Sequence, residues 1–402
     1  MRLSRGTSGT VVSAAALAVA VMLPALTFGP GHAAPGGGVT APADTVAIQS
    51  AAARAVPRLS VTTVVSGLEH AWDVGLLGKG RLIVTERDRA RVSIIRSGRA
   101  TTVRFPSDKV WVSGETGLMS LAVVPGSDHR TFLTCSGWRA KGGNEVQVRR
   151  WRLNASGTRA VSRGVVLAGI PASSGRHGGC RVKIDSRTGE IWVGTGDAAM
   201  SGVTRNLSSL AGKTLRMTAS GKPSPHNPWP NAASTNRRLV FTYGHRNVQG
   251  LARRPGGDMW SVEHGTDRDD EVNRLVAGGD YGWDPGPGYD DDVPMTDHSL
   301  PGTQIDARWS SGDPTIATSG AAWVRGKQWG ALDGTLAVAT LAGERLVFMK
   351  FDSRGRFVRS YSPDELQTRG RLRSVTRARN GSLLVTTDNG WRDKVLRVSP
   401  VR

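Results

Sequence analysis

Cysteine is almost missing from this chain: Cys135 and Cys180 are the only two among 402 residues. That count excludes a metal cage of thiolates. In an exported protein the two can pair, and two buried free thiols fit the same spacing equally well. Long amphipathic helical patterns are also missing, which argues against a helical domain. Beyond Leu26 no run is apolar enough to span a bilayer. Acidic residues are outnumbered, 33 against 53 Lys and Arg, for a formal charge of +20. The arginines are scattered, with no basic helical stripe, so nucleic-acid binding finds no support. The excess instead suits attraction of anionic ligands or wall polymers. No G-x-S-x-G, H-E-x-x-H, Walker A or Rossmann G-x-G-x-x-G occurs, so serine hydrolysis, zinc proteolysis and nicotinamide redox lose their usual signals.

The amino terminus reads as a secretory signal over residues 1–33. Arg2 and Arg5 supply the positive region, Val11 to Leu26 the apolar one, and Gly31-His32-Ala33 or His32-Ala33-Ala34 a small-residue cleavage site. An uncleaved anchor is the alternative, because the apolar run is borderline for spanning a bilayer. No cysteine follows it to carry a lipid. Residues 34–57, rich in Ala, Gly and Pro, read as a flexible linker. The expectation is a secreted or extracytoplasmic protein with no integral membrane segment after cleavage.

What the remainder does contain is one recurring signal, a turn followed by a short β-rich strand and a polar or Gly-containing loop. It appears as Gly80-RLIVTER, His129-RTFLTCSG, Gly189-EIWVGTGD, Gly257-DMWSVEHG, Gly334-TLAVATLAG and Gly381-SLLVTTDNG. Short strands, period-2 alternation and Gly-rich turns predict an all-β domain. Six such repeats over residues 58–402 fit a six-bladed β-propeller with a central site. A large sandwich or a pair of β-domains is the alternative. In a propeller, strand ends from distant blades meet around one channel, which suits polar candidates dispersed along the chain.

Those candidates are few. Arg176-His177-Gly178-Gly179 sits in a Gly-rich loop before a strand, and histidine titrates near neutrality, as a general base must. A surface loop histidine is the bland reading. Asp197 ends the following strand and can return to the same loop end to orient His177. Glu115 places a carboxylate beside a Gly turn. From Tyr243 to Asp284 the chain concentrates Arg246, Asn247 and Gln249 ahead of an acidic run, Glu263, Asp267, Asp269, Asp270 and Glu271. Guanidinium and amide groups beside carboxylates suit a polyanionic ligand held with a hard divalent cation; a solvated loop with surface ion pairs is the alternative. Arg371 and Arg373 face one way if their segment is extended, and two convergent guanidiniums suit a multiply charged carboxylate.

Taken in order, these motifs carry a resemblance. Gly67-LEHAWDVGLL with GRLIVTER, Gly114-ETGLMSLAVVP, Arg176-HGG with GTGD, Leu210-AGKTLRM, His226-NPWP, YGHRNVQGLA, EHGTDRDDEVN, GGDYGWD, Pro314-TIATSG and Arg371-LR cover nearly the whole mature chain. The chain resembles the soluble pyrroloquinoline quinone (PQQ)-dependent glucose/sorbosone dehydrogenase family, which includes bacterial aldose sugar dehydrogenases. The resemblance implies a six-bladed propeller, PQQ and Ca2+ as cofactors, a small-molecule sugar substrate and an electron acceptor that it leaves unknown. It implies that His177 is the proton acceptor, that Asp197 helps orient it, and that Arg246 polarises the quinone carbonyl. Arg246, Asn247, Gln249, Thr315, Arg371 and Arg373 match cofactor contacts. Glu115 stands where some members have a quinone-contacting Gln. The Gly265 and Thr266 carbonyls match a calcium site shared with the cofactor, with Thr266 replacing the usual Pro, and Glu271 and Tyr281 match a second, structural calcium site. Ala342 falls where one glucose-oxidising branch has a cofactor-binding Lys. Ala342 and Glu115 favour a rival expectation, a catalytically silent propeller that binds a glycan or protein partner.

Overall fold

The structure is a computed structural model and describes residues 55–126 and 128–401. The expected signal segment and nearly all of the expected linker lie outside these residues. Six four-stranded antiparallel sheets make the fold, a six-bladed β-propeller. After β1 (Leu59–Leu68), the first blade is β2 (Ala71–Gly78), β3 (Arg81–Glu86), β4 (Arg91–Arg96) and β5 (Arg99–Val103). The second is β6 (Leu118–Val123), β7 (Thr131–Ala140), β8 (Gly143–Leu153) and β9 (Ala160–Ile170). The third is β10 (Gly179–Ile184), β11 (Ile191–Thr195), β12 (Lys213–Met217) and β13 (Val240–Tyr243). The fourth is β14 (Val248–Arg253), β15 (Met259–Glu263), β16 (Glu271–Arg274) and β17 (Trp309–Ser310), and the fifth is β18 (Thr318–Trp323), β19 (Leu336–Thr340), β20 (Leu346–Phe351) and β21 (Phe357–Tyr361). The sixth takes β22 (Leu372–Arg377), β23 (Leu383–Thr387) and β24 (Asp393–Pro400). It is completed by β1, which pairs with β24 from Leu59 opposite Pro400 to Leu68 opposite Asp393. The start and end of the domain therefore share one blade, and no sheet edge is left at the closure.

All six sequence repeats fall on the same structural position, the second strand of a blade: β3, β7, β11, β15, β19 and β23. The expected alternation is absent there. Strands β11, β15, β19 and β23 are buried at every residue, because each blade is covered by a neighbour on both faces. The outermost strands β5 and β21 are exposed almost throughout. Among the described residues the apolar core falls into six clusters, one for each junction between neighbouring blades. The inner strands β2, β6, β10, β14, β18 and β22 pack side by side around the axis. Their first residues gather at one end of the channel and their last residues at the other.

Cys135 on β7 and Cys180 on β10 are joined as a disulfide, with Cα atoms 5.8 Å apart. The bridge crosses the junction between the second and third blades inside its apolar cluster. It closes a loop of sequence separation 45. Reduction under native conditions, or the double substitution to alanine, is expected to cost about 2–4 kcal/mol of stability. Urea unfolding with and without reductant checks this, and coincident curves would show that the bridge contributes nothing.

Candidate active site

His177 lies in the link between β9 and β10, at the end of the channel where the inner strands begin. It adopts φ 47°, a left-handed conformation unusual for a residue with a side chain. Close packing holds it there. A Cβ added at Gly196 would lie 1.9 Å from the His177 carbonyl oxygen, and one at Gly178 would lie 2.3 Å from Thr116 Oγ1. Both positions therefore require glycine. The imidazole is 4% exposed. Its Nδ1 is 2.8 Å from Asp197 Oδ1 and 2.8 Å from the Tyr289 hydroxyl. Asp197 also accepts hydrogen bonds from the Ala199 N–H at 2.7 Å, Trp283 Nε1 at 2.8 Å and the Tyr289 hydroxyl at 2.9 Å. An acceptor so fully engaged fixes its own rotamer. It directs an Nδ1–H toward itself and leaves Nε2 of His177 as the proton-accepting nitrogen.

The first residues of β14 and the link before it supply the rest of the site. Arg246, 6% exposed, donates from its main chain to Glu263 Oε2 at 3.0 Å. Its guanidinium donates to the Gly265 carbonyl and to Asp291 Oδ1, the latter at 3.1 Å. Asn247 donates to Glu115 Oε2 at 3.2 Å across two blades. Gln249 donates to Asn247 Oδ1 at 3.0 Å and accepts from Arg373 Nη1 at 3.3 Å. Arg373 in turn grips Asp388 Oδ2 through Nε at 2.8 Å and Nη2 at 2.7 Å. Glu115, Asn247, Gln249 and Arg373 thus form one hydrogen-bonded row drawn from three blades.

Several expected groupings are arranged differently. The acidic run is not one cluster. Asp267 is exposed, whereas Asp270 turns inward and spends its oxygens on the Gly265, Ile316 and Thr318 N–H groups and the Thr315 hydroxyl. Thr315 therefore meets the site with its hydroxyl already committed to Asp270. Arg371 and Arg373 do not present a matched pair. A register shift between Leu372 and Ser374 breaks the two-residue alternation, so Arg373 is buried while Arg371 is exposed. The Tyr281 phenol is fully used, donating to the Arg274 carbonyl and accepting from the Val276 N–H. Only its main-chain oxygen can serve a metal. The exposed Ala342 brings no cation to the site.

Two features bear on what the site accommodates. His264 is half-buried, with its Nε2 buried and unpartnered, and Arg246 Nε is likewise buried without an acceptor. Burial, then the charges of Arg373, Arg246, His177 and Arg371, push His264 well below the usual imidazole range. The two buried guanidiniums, Arg246 and Arg373, with Arg246 Nε still lacking an acceptor, fit a ligand bearing several carboxylates. For a hard cation, Glu271 offers a carboxylate opposite Glu263 across the β15–β16 ladder. Asn273 Nδ2 bridges the two, at 3.0 and 2.8 Å, and its Oδ1 is buried without a partner. The Glu271 carboxylate and Asn273 Oδ1 are hard oxygens of the kind calcium takes. Glu263, however, is already engaged by His245, the Arg246 N–H and Asn273, and among the described residues no group of three His, Cys, Asp or Glu side chains is placed to hold a metal ion. The Gly265 and Thr266 carbonyls alone do not make a shell, because calcium takes about six to eight oxygens.

Tyr289, Trp283, His264 and Asp291 were not singled out from the sequence. Trp283 and His264 lie within quoted motifs, but nothing local marks them as partners of Asp197 and Arg246. Tyr289 and Asp291 sit in the link after β16, and Asp291 ties Arg246 to Arg176, the latter at 3.3 Å. Burial, then the Asp197 charge, push the Tyr289 phenol up, keeping it a donor.

Residues 68–397 match the family model described as Glucose / Sorbosone dehydrogenase. The aldose sugar dehydrogenase YliI of Escherichia coli K12 is 27% identical over 244 residues, which is 59% of this chain and 65% of that protein. Among solved structures, a glucose dehydrogenase-type oxidoreductase from Thermus thermophilus is 35% identical with TM-score 0.71, covering 85% of this chain and 99% of its own. The PQQ-bound form of aldose sugar dehydrogenase from Streptomyces coelicolor is 28% identical with TM-score 0.70, covering 86% and 100%.

Proposed function

The chain belongs to the glucose/sorbosone dehydrogenase family, and from that premise we propose that it is a PQQ- and calcium-dependent aldose dehydrogenase acting outside the cytoplasm. The observation that carries the reading is the His177–Asp197 pair beside the Arg246, His264 and Arg373 cluster. Arg246, Asn247, Gln249, Glu115, Thr315, Arg371 and Arg373 would hold the quinone. The Gly265 and Thr266 carbonyls would share a calcium ion with it, and Glu271 with the Tyr281 carbonyl would hold a second. Bound there, PQQ supplies a two-electron acceptor for hydride and calcium polarises its carbonyl.

The chain's own residues supply position, proton transfer and field. Asp197 fixes the His177 ring through Nδ1, so Nε2 takes the proton from the sugar hydroxyl, at the anomeric carbon in this reading. Trp283 and Tyr289 keep the Asp197 carboxylate from turning away. Arg246 presents fixed positive charge where negative charge grows on the acceptor, which lowers the barrier without reorganisation.

The test is reconstitution of purified protein with PQQ, calcium and an artificial dye acceptor against a panel of aldoses. Dye reduction that requires both PQQ and calcium, with a rise in melting temperature on adding them, is the expected result. If neither reduction nor a thermal shift is seen, the silent glycan- or protein-binding propeller is the reading that remains. Ala342 and Glu115 are the residues that favour it.

A further inference from the structure

At the opposite end of the channel the inner strands finish around two adjoining cavities of about 480 and 490 Å3. Lys183, Ile184, Ser186 and Thr376 line both. Eight Lys and Arg side chains border the pair of cavities against two carboxylates. Both carboxylates are already matched: Asp73 with Arg181 at 2.7 Å and Asp185 with Arg253 at 2.8 Å. Among the described residues, Lys183, Arg187, Arg325 and Arg377 pair with no carboxylate. Arg253 Nε and Arg181 Nη2 are buried with no acceptor.

These cations are held together against their own repulsion. Burial, with Arg181 and Arg377 adding to it against the opposing Asp73 charge, lowers the Lys183 ammonium, and partial burial with the Arg325 charge lowers Arg377, whose side chain still reaches solvent. The cluster comes from the ends of β10, β14, β18 and β22, so it exists only because the ring brings four blades together. This is why the sequence shows scattered arginines and no basic run. A layer of side chains separates it from the His177 end: Arg181 and Arg373 lie over the Trp72 ring at 4.2 and 5.5 Å. Arg181 also donates to the Gln249 carbonyl at 2.7 Å.

We propose that this end of the channel is a second binding site, for a linear oligophosphate anion. Guanidinium forks match the paired oxygens of a phosphate. Two chambers meeting at Lys183 call for a ligand with more than one anionic group in a row, and the Ser186 and Thr376 hydroxyls add neutral donors. A single carboxylate would leave most of the cations unmatched.

Calorimetric titration of the full chain with sodium tripolyphosphate tests this. One saturable site is expected, and Arg325→Ala combined with Arg377→Ala should weaken it about tenfold or more, the scale of losing a charge-assisted hydrogen bond. Both residues are exposed, so the fold should survive their loss. The control pair Arg99→Ala and Arg163→Ala, on the outer strands β5 and β9, should change the affinity by less than about twofold, and Arg246→Ala should leave it unchanged. Equal loss in the control pair would reduce the binding to diffuse net charge and overturn the proposal. Loss in Arg246→Ala would move the binding to the other end of the channel, with the same consequence. Absence of saturable binding, or tighter binding of a DNA oligonucleotide than of tripolyphosphate through Arg325 and Arg377, would also overturn it.

Discussion

His177→Ala is expected to slow dye-linked turnover of the reconstituted protein by roughly 10²–10⁴-fold, the range for a positioned general base. The geometry says why the loss should fall on kcat. His177 Nδ1 is committed to Asp197 at 2.8 Å, so the ring contributes little to the fold beyond its Nδ1 contacts, while Nε2 is free for chemistry. Among the described residues no hydrogen bond joins Glu115, Asn247, Gln249 or Arg373 to the imidazole, so cofactor affinity should change little. The contrast with Tyr289→Phe is informative. That hydroxyl supports Asp197 at 2.9 Å but lies on the Nδ1 side of the ring, so its removal should cost about tenfold or less. Steady-state kinetics with saturating PQQ and calcium, with melting curves to check the fold, give the measurement. Turnover of His177→Ala within a factor of about two of the parent would remove His177 from the mechanism.

How much of this was legible in the sequence depends on whether the information is local. Each second strand is a short apolar run bounded by turn residues, so six of them announced six blades, and chain order did the rest. The burial of those strands on both faces was not legible, because alternation is lost once a second sheet covers the outer face. Within the site, His177 and Asp197 could be read together because a hairpin joins β10 to β11. Partners contributed by different blades could not. Glu115 and Asn247 are 132 residues apart, and nothing in either segment points to the other. Tyr289 reaches Asp197 from 92 residues away. The pairing of Cys135 with Cys180 and the basic cavities belong to the same class, since only the packing of blades against one another creates them. The separation of Arg371 from Arg373 has a different cause. A one-residue bulge reverses the face of everything beyond it, and no residue in Arg371-Leu372-Arg373 marks where it falls.

Asp388→Ala is expected to destabilise the protein without cofactor by roughly 3–5 kcal/mol, the cost of leaving a buried charge without its partner. The charge left behind is Arg373, whose side chain is 7% exposed. Its remaining acceptor would be Gln249 Oε1 at 3.3 Å, too weak to replace a two-pronged carboxylate contact. Asp388 also holds His70 Nδ1 at 2.6 Å, so the loss should depend on pH. Burial opposes ionisation of Asp388, but the Arg373 charge and the His70 hydrogen bond outweigh it and hold the carboxyl far below its usual value of 3.8. A depressed folded pKa gives stability that is present above that value and lost as the medium acidifies through the folded one. His70 has the opposite sign. Its hydrogen bond to Asp388 raises it above 6.5 despite burial, so its contribution is present below 6.5 and fades as pH rises through the elevated value. The gap between parent and Asp388→Ala should therefore be widest between roughly pH 4 and 6.5 and narrower at pH 9. Asp388→Asn should fall between them, since the amide oxygen can still accept from His70 but returns no charge to Arg373. Urea unfolding at pH 5, 7 and 9 on the three proteins reads both the size and the sign. A gap under about 1 kcal/mol, or one that widens toward pH 9, would mean that Asp388 does not carry Arg373 in the way the geometry requires.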